Sequence, residues 1–198
     1  MKVYSMYYTA FKNNVKLYLG SSSDPCTYYG KTTVMTKNPT IQLRSDDSPA
    51  GLTVAFAKFS WVSRHILLGS GDNARIAEDK IVWEKMNREK NKLRRSHYVF
   101  STSVGSESGA RREYRWRRDM DRLASTAYKC VDDQGDVVAN MLSGGFFNWK
   151  KGGEIELADG VPKDLEELLI VGALAIWVAE ACGSMFQAYA DGKNGKIQ

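Results

Sequence analysis

The hydrophobic pattern is most uneven near the carboxyl end, where residues 165–186 (LEELLIVGALAIWVAEACGSMF) are almost continuously apolar. At about 100° per residue on a helix, Leu165, Leu168, Leu169, Ile170, Val171, Leu174, Ile176, Trp177 and Val178 point in nearly every direction. Only one narrow strip, carrying Glu166, Ala173 and Glu180, is not strongly apolar. A surface helix would keep a broad polar face, so the pattern predicts a helix over about 164–184 that is buried on every side. Nine large side chains at about 1.5 to 3 kcal/mol each give a gross burial term of roughly 15 to 25 kcal/mol, an upper bound that still exceeds the net stability of a typical domain. The segment is therefore expected to organise the fold. It is not expected to cross a bilayer, because its uninterrupted core of 12 residues (168–179) falls short of the roughly 20 a span requires.

Upstream the period changes from helical to two. MYYTAF (6–11), NVKLYLG (14–20), KTTVMTK (31–37) and TIQLR (40–44) are short, rich in β-branched and aromatic residues, and bounded by Asn, Gly, Ser, Asp and Pro. Alternation is clearest in LTVAFAKFSW (52–61) and in REYRWRR (112–118), where Tyr114 and Trp116 oppose Glu113, Arg115 and Arg117. TAYKCVDDQGDVVANML (126–142) reads as two strands joined at Asp132 to Asp136, and GGEIELADG (152–160) as a last strand before the helix, whose amino end Asp164 is placed to cap. The charged stretch 76–95 fits one helix or two strands; a strand at 80–86 followed by a charged loop fits its alternation best.

Eleven or twelve short strands before one greasy helix leave few architectures. A two-sheet sandwich has no interior wide enough for a helix, whereas a barrel of that many strands encloses one and loses its edges on closing. The expectation is a mainly β, closed antiparallel barrel of about 12 strands around the carboxy-terminal helix, forming a single domain over 1–198.

In its order of strand (112–118), hairpin (125–141), strand EIEL (154–157) and apolar helix from Leu165, the chain resembles the tubby carboxy-terminal-like fold shared by tubby-like proteins, phospholipid scramblases and LURP-one-related proteins, and small fungal members of that group in particular. The likeness covers the second half of the chain; the first half matches by strand rhythm alone. It implies a non-catalytic module, with basic side chains on the barrel surface that bind phosphoinositide headgroups as in some tubby domains. The acidic segment near the terminal helix by which scramblases are said to bind calcium has no counterpart here, which weakens a lipid-scrambling reading.

Composition sharpens this in one place. The chain carries +5 at pH 7, yet residues 90–122 alone hold ten Lys/Arg against four acids, so the basicity is local and argues for an anionic partner. Counting in twos through 111–118 puts Arg111, Glu113, Arg115 and Arg117 on one side of a strand and Tyr114 and Trp116 on the other. With the aromatics inward, Arg115 and Arg117 stand outward, and guanidinium forks suit phosphate oxygens. Arg111, Lys92, Arg94 and Arg95 are expected to join them where neighbouring loops converge. The partner is then an anionic membrane surface or an acidic protein. Nucleic acid is disfavoured because Tyr114 and Trp116, turned into the core, have no face left to stack on bases. The competing reading is a purely structural or regulatory protein-interaction domain.

No cofactor or catalytic constellation is expected. His65 and His97 have no Ser/Asp or Cys arrangement around them, no phosphate-binding or dinucleotide motif occurs, and Cys26, Cys130 and Cys182 lack metal-ligand spacing. GSGDNA (69–74) and the Asp132, Asp133, Asp136 run read as turns rather than phosphate or calcium loops. The unpaired cysteine number and an amino-terminal stretch broken by Lys12 and Lys16 point to an intracellular protein.

Overall fold

A computed structural model of the chain describes residues 1–9, 14–33, 40–47, 51–59, 65–71, 82–90, 96–119, 127–143 and 151–194, with the side chains of the terminal helix described as far as Glu180. The first six strands are β1 (Lys2–Tyr8), β2 (Val15–Leu19), β3 (Cys26–Thr33), β4 (Thr40–Arg44), β5 (Thr53–Phe59) and β6 (Ile66–Ser70). They are followed by β7 (Trp83–Lys90), β8 (Ser96–Thr102), β9 (Arg112–Arg118), β10 (Ala127–Val131), β11 (Val137–Ser143), β12 (Lys151–Leu157) and helix α1 (Lys163–Asn194). Each strand pairs antiparallel with the next, and β1 pairs with β12 through Lys2↔Leu157 and Tyr4↔Ile155, closing a twelve-stranded barrel. The barrel around a carboxy-terminal helix that the hydrophobic pattern demands is therefore what the chain forms.

The interior is filled from both sides. Strand residues such as Leu17, Ile41, Leu43, Leu68, Trp116 and Ile155 point inward and are sealed from solvent. From the helix, Leu165, Leu168, Leu169, Ile170, Val171, Leu174, Ile176 and Val178 are all buried, and Trp177 is half-buried with its ring 5.3 Å from that of Tyr8. A helix apolar all round has found walls all round. The helix runs to Asn194, ten residues past the end expected from the apolar pattern. Among the described residues no helix is long and apolar enough to cross a membrane.

One glycine fixes the closure. Across β1 and β12 the register slips by one residue between Met6 and Tyr7, and Gly153 beside the slip has φ +146°, with its Cα so close to Leu142 that a Cβ would lie 1.9 Å from that carbonyl oxygen. A side chain there would force the β11–β12 ladder apart.

The narrow polar strip of the helix turns out to be its attachment at the two barrel mouths. Glu166 is 1% exposed. Its Oε2 accepts from Lys2 Nζ at 2.6 Å, and its Oε1 from the Tyr4 hydroxyl at 2.8 Å, the Tyr28 hydroxyl at 3.1 Å and Lys163 Nζ at 3.4 Å. Burial alone would raise this carboxyl, but those donors outweigh it and hold Glu166 below its ordinary range. About four helical turns further along the axis, Glu180 accepts from Arg88 at 2.9 Å and from the Tyr98 hydroxyl at 2.6 Å.

Several element boundaries differ from the pattern-based reading. β1 begins at Lys2 rather than Met6, and its alternation is masked because Ser5 is buried along with Tyr4 and Met6, its hydroxyl donating to the Gly20 carbonyl at 2.9 Å. β3 begins at Cys26, where Tyr28, Tyr29 and Gly30 are buried in succession. β6 and β8 lie in stretches where the pattern-based reading has no strand. The region around 80–86 does hold a strand, but it continues to Lys90 where a charged loop was expected. Lys85, Asn87 and Glu89 face solvent, while buried Glu84 pairs with Arg111 and half-buried Arg88 with Glu180. Asp164 lies within the first helical turn, so it complements the helix dipole instead of capping. Asp132 does build a hairpin turn: its Oδ1 accepts from the amides of Gln134 and Asp136 at 3.0 and 2.9 Å, with Gly135 at φ +92°.

Candidate anion-binding face

β9 sits mid-wall between β8 and β10, and its alternation divides it as the sequence indicates. Tyr114 and Trp116 are 4% and 0% exposed inside, where Tyr114 stacks on Phe100 at 5.4 Å; Arg117 is exposed on the outside and Arg115 half-exposed. The register then adds neighbours that sequence alone does not supply. Lys129 on β10 is paired with Arg117, Val131 with Arg115, and Val99 on β8 with Arg115. Continuing the β8–β9 register by one residue sets His97 beside Arg117.

The outer surface thus gathers Arg115, Arg117, Lys129 and His97 within two strand spacings. Arg115 Nη2 donates to Glu113 Oε1 at 3.0 Å, and Lys129 reaches Asp119 only at 3.8 Å. Among the described residues Arg117 has no ion-pair partner. Three permanent cations stand against Glu113, Asp119 and, beside His97, Glu89, so the positive charge is concentrated at Arg117 and not spread over the whole face. His97 registers that charge: its imidazole is pushed below its ordinary value, first by burial and then by Arg117 and Arg115, with Glu89 opposing. An anion on this face would reverse the last two effects.

The other expected residues divide. Arg111 lies outside this cluster, its guanidinium donating to the Glu84 carboxylate and to the Ser101 carbonyl. It closes a seam in the wall instead of extending the basic row. Lys92, Arg94 and Arg95 lie outside the described residues. Lys129 was legible in principle, since counting in twos from inward-facing Tyr128 turns it outward, but only the β9–β10 register shows which residue it adjoins. His97 is missed because the charged stretch before it is read as a loop, although the aromatic and β-branched run 98–102 that follows it is a strand signal.

No group of three or more His, Cys, Asp or Glu able to hold a metal occurs among the described residues. Cys26 and Cys130 carry free thiols that burial pushes up from the ordinary range, which makes them poor nucleophiles. Compared with protein-family models, with curated proteins and with solved structures, the chain matches none of them.

Proposed function

We propose that this protein is a non-catalytic module of the tubby-like type that binds an anionic headgroup, a phosphoinositide being the species best suited, on the outer face of β9 and β10. Arg117 carries the reading: it is exposed, free of an acidic partner among the described residues, and flanked by Arg115, Lys129 and His97. A guanidinium fork presents two parallel donors to phosphate oxygens, and a second fork two residues along the same strand face doubles the anchor. The protein would then sit peripherally at an inner membrane surface. A scramblase-like role needs an element to insert into lipid, and the apolar helix that would serve is enclosed by sheet.

Sedimentation with lipid vesicles tests the proposal. Vesicles containing phosphoinositide should retain the protein, more weakly as salt is raised, and Arg115→Glu with Arg117→Glu should abolish retention. Both side chains point to solvent, so the thermal midpoint should hold. Equal retention on neutral vesicles, or retention indifferent to the double substitution, would overturn it.

A further inference from the structure

Arg44, Arg88 and Arg115 are the half-buried arginines among the described residues, and two of them are matched: Arg88 by Glu180 at 2.9 Å and Arg115 by Glu113 at 3.0 Å. Arg44, on the outer face of β4, has no carboxylate partner among the described residues. Its Nη2 donates to Gln42 Oε1 at 3.0 Å, its Nε is sealed from solvent with no hydrogen-bond partner, and its Nη1 is unpaired and open to solvent. A guanidinium half withdrawn from water without a counter-charge is a costly arrangement, which an anion at its open edge relieves.

The register surrounds that edge with further donors. On β3 and β4 the inward positions are Tyr28, Gly30, Ile41 and Leu43, so Lys31, Gln42 and Arg44 share the outer face. Lys31 pairs directly with Gln42, and Tyr29 with Arg44. Lys31 and Arg44 are therefore diagonal neighbours, about 7 to 8 Å apart at Cβ, near enough for two long side chains to close on one anion. Gln42 stands beside both. Because its Oε1 is taken by Arg44, its NH₂ is the group left to present outward.

Lys31 is exposed and has no ion-pair partner among the described residues. Each free group in the cluster is thus a donor: Arg44 Nη1, the Gln42 NH₂ and Lys31 Nζ. Such a set has nothing to offer a cation. It suits an oxyanion with three acceptor oxygens and more than one negative charge, which describes a phosphate monoester at neutral pH and not a carboxylate. Asp47 is engaged by Lys16 at 2.5 Å, and Lys16 lies across Tyr29 from the cluster.

In the ring of twelve strands β3 and β4 stand six places from β9 and β10, on the opposite wall. A flat bilayer met by Arg115 and Arg117 cannot also touch Arg44. We propose that the outer face of β3 and β4 is a binding site for a phosphate monoester carried by a soluble molecule, grasped by Arg44, Gln42 and Lys31. The donor set stands on its own geometry; its assignment to a soluble ligand rests on the membrane reading of the opposite wall.

Inorganic phosphate, titrated into the full-length ¹⁵N-labelled chain, tests the site, because the sealed Arg44 Nε–H exchanges slowly and gives its own signal. Phosphate should produce saturable shifts there, at the Gln42 side-chain amide and at the backbone amides of Lys31, Gln42 and Arg44. Acetate at equal ionic strength should bind on the order of tenfold more weakly, the effect of one hydrogen bond to a charged group. Arg44→Lys keeps the charge but loses the fork, and Lys31→Ala removes a surface donor; each should weaken phosphate by a similar factor. Gln42→Glu sets a carboxylate of the same shape against Arg44, so it should remove the saturable shift with the thermal midpoint unchanged or raised. Retention on phosphoinositide vesicles should survive Gln42→Glu, and the phosphate shifts should survive Arg115→Glu with Arg117→Glu, so the two walls fail separately. Equal binding of acetate, phosphate binding unchanged in Arg44→Lys or Gln42→Glu, or no saturable shift at these groups would each overturn the proposal. Loss of vesicle retention in Gln42→Glu would overturn the soluble assignment and make this wall a lipid contact.

Discussion

Glu166 and Glu84 are both carboxylates sealed inside one barrel, at 1% and 3% exposure, and the protein provides for them in opposite ways. Glu166 receives donors on both oxygens from four side chains drawn from β1, β3 and α1. Glu84 receives Arg111 on one oxygen and nothing on the other. The first joins the helix to the sheet around it, so it is a fastening. The second is sealed in the wall with one oxygen unmatched, so it is a cost the fold carries. Burial of a charged group is thus no guide to its role; the count of matched lone pairs is.

The contrast is open to direct attack. Glu166→Ala strips a partner from Lys2, Tyr4, Tyr28 and Lys163 together, and removing one member of a buried network costs about 3 kcal/mol, to be read as a lowered denaturant midpoint at unchanged slope. Glu84→Leu should move stability by less than about 1 kcal/mol in either direction, because it removes an unmatched buried acceptor while Arg111, 53% exposed, returns to water. A loss in Glu84→Leu as large as in Glu166→Ala would erase the distinction.

Acid titration reads the Glu166 fastening directly. The folded pKa of Glu166 lies below its ordinary value of 4.5, so the unfolded chain takes up that proton at higher pH than the folded one. Its stabilising effect is present above 4.5 and is lost as pH falls through that value towards the lower folded one. Glu166→Gln should flatten this limb of the stability curve. Glu167, raised first by burial, contributes the opposite sign and remains in both proteins, so the difference between them isolates Glu166.

On the outside of the wall, His97 extends the comparison to a group whose charged form is favoured by Glu89 and opposed by burial, Arg117 and Arg115. With its folded pKa depressed below 6.5, the stability it brings is present above that value and declines as pH falls below it. The expected change is small. It is best followed as the imidazole titration by NMR, where Arg115→Glu with Arg117→Glu should raise the midpoint, and a bound phosphoinositide headgroup should raise it in the unmodified protein. A midpoint indifferent to both would mean that burial alone sets it.

Much of this was already written in the chain. The all-round apolar helix could only be satisfied by an enclosing sheet, and the twelve short strands allow that sheet to close; both follow from local periodicity and geometry. The outward setting of Arg115 and Arg117 follows from the same counting, because residues two apart on a strand share a face whatever surrounds them. Strands lost their signature where burial came from both faces, as at Ser5 and Tyr29, or where charged side chains turned inward and met a counter-charge, as at Glu84 and Arg88.

What the tertiary structure alone decided is adjacency. That Arg111 would turn from the basic row to plug a seam, that His97 and Lys129 would flank Arg117, and that Glu166 would meet Lys2 across 164 residues of chain all depend on strand register and on barrel closure. Hydrophobic pattern specifies which way a side chain faces, since that depends on its own backbone. It carries no information about which distant residue faces it in return, because that pairing is fixed only when the whole sheet closes and every strand settles against its neighbour.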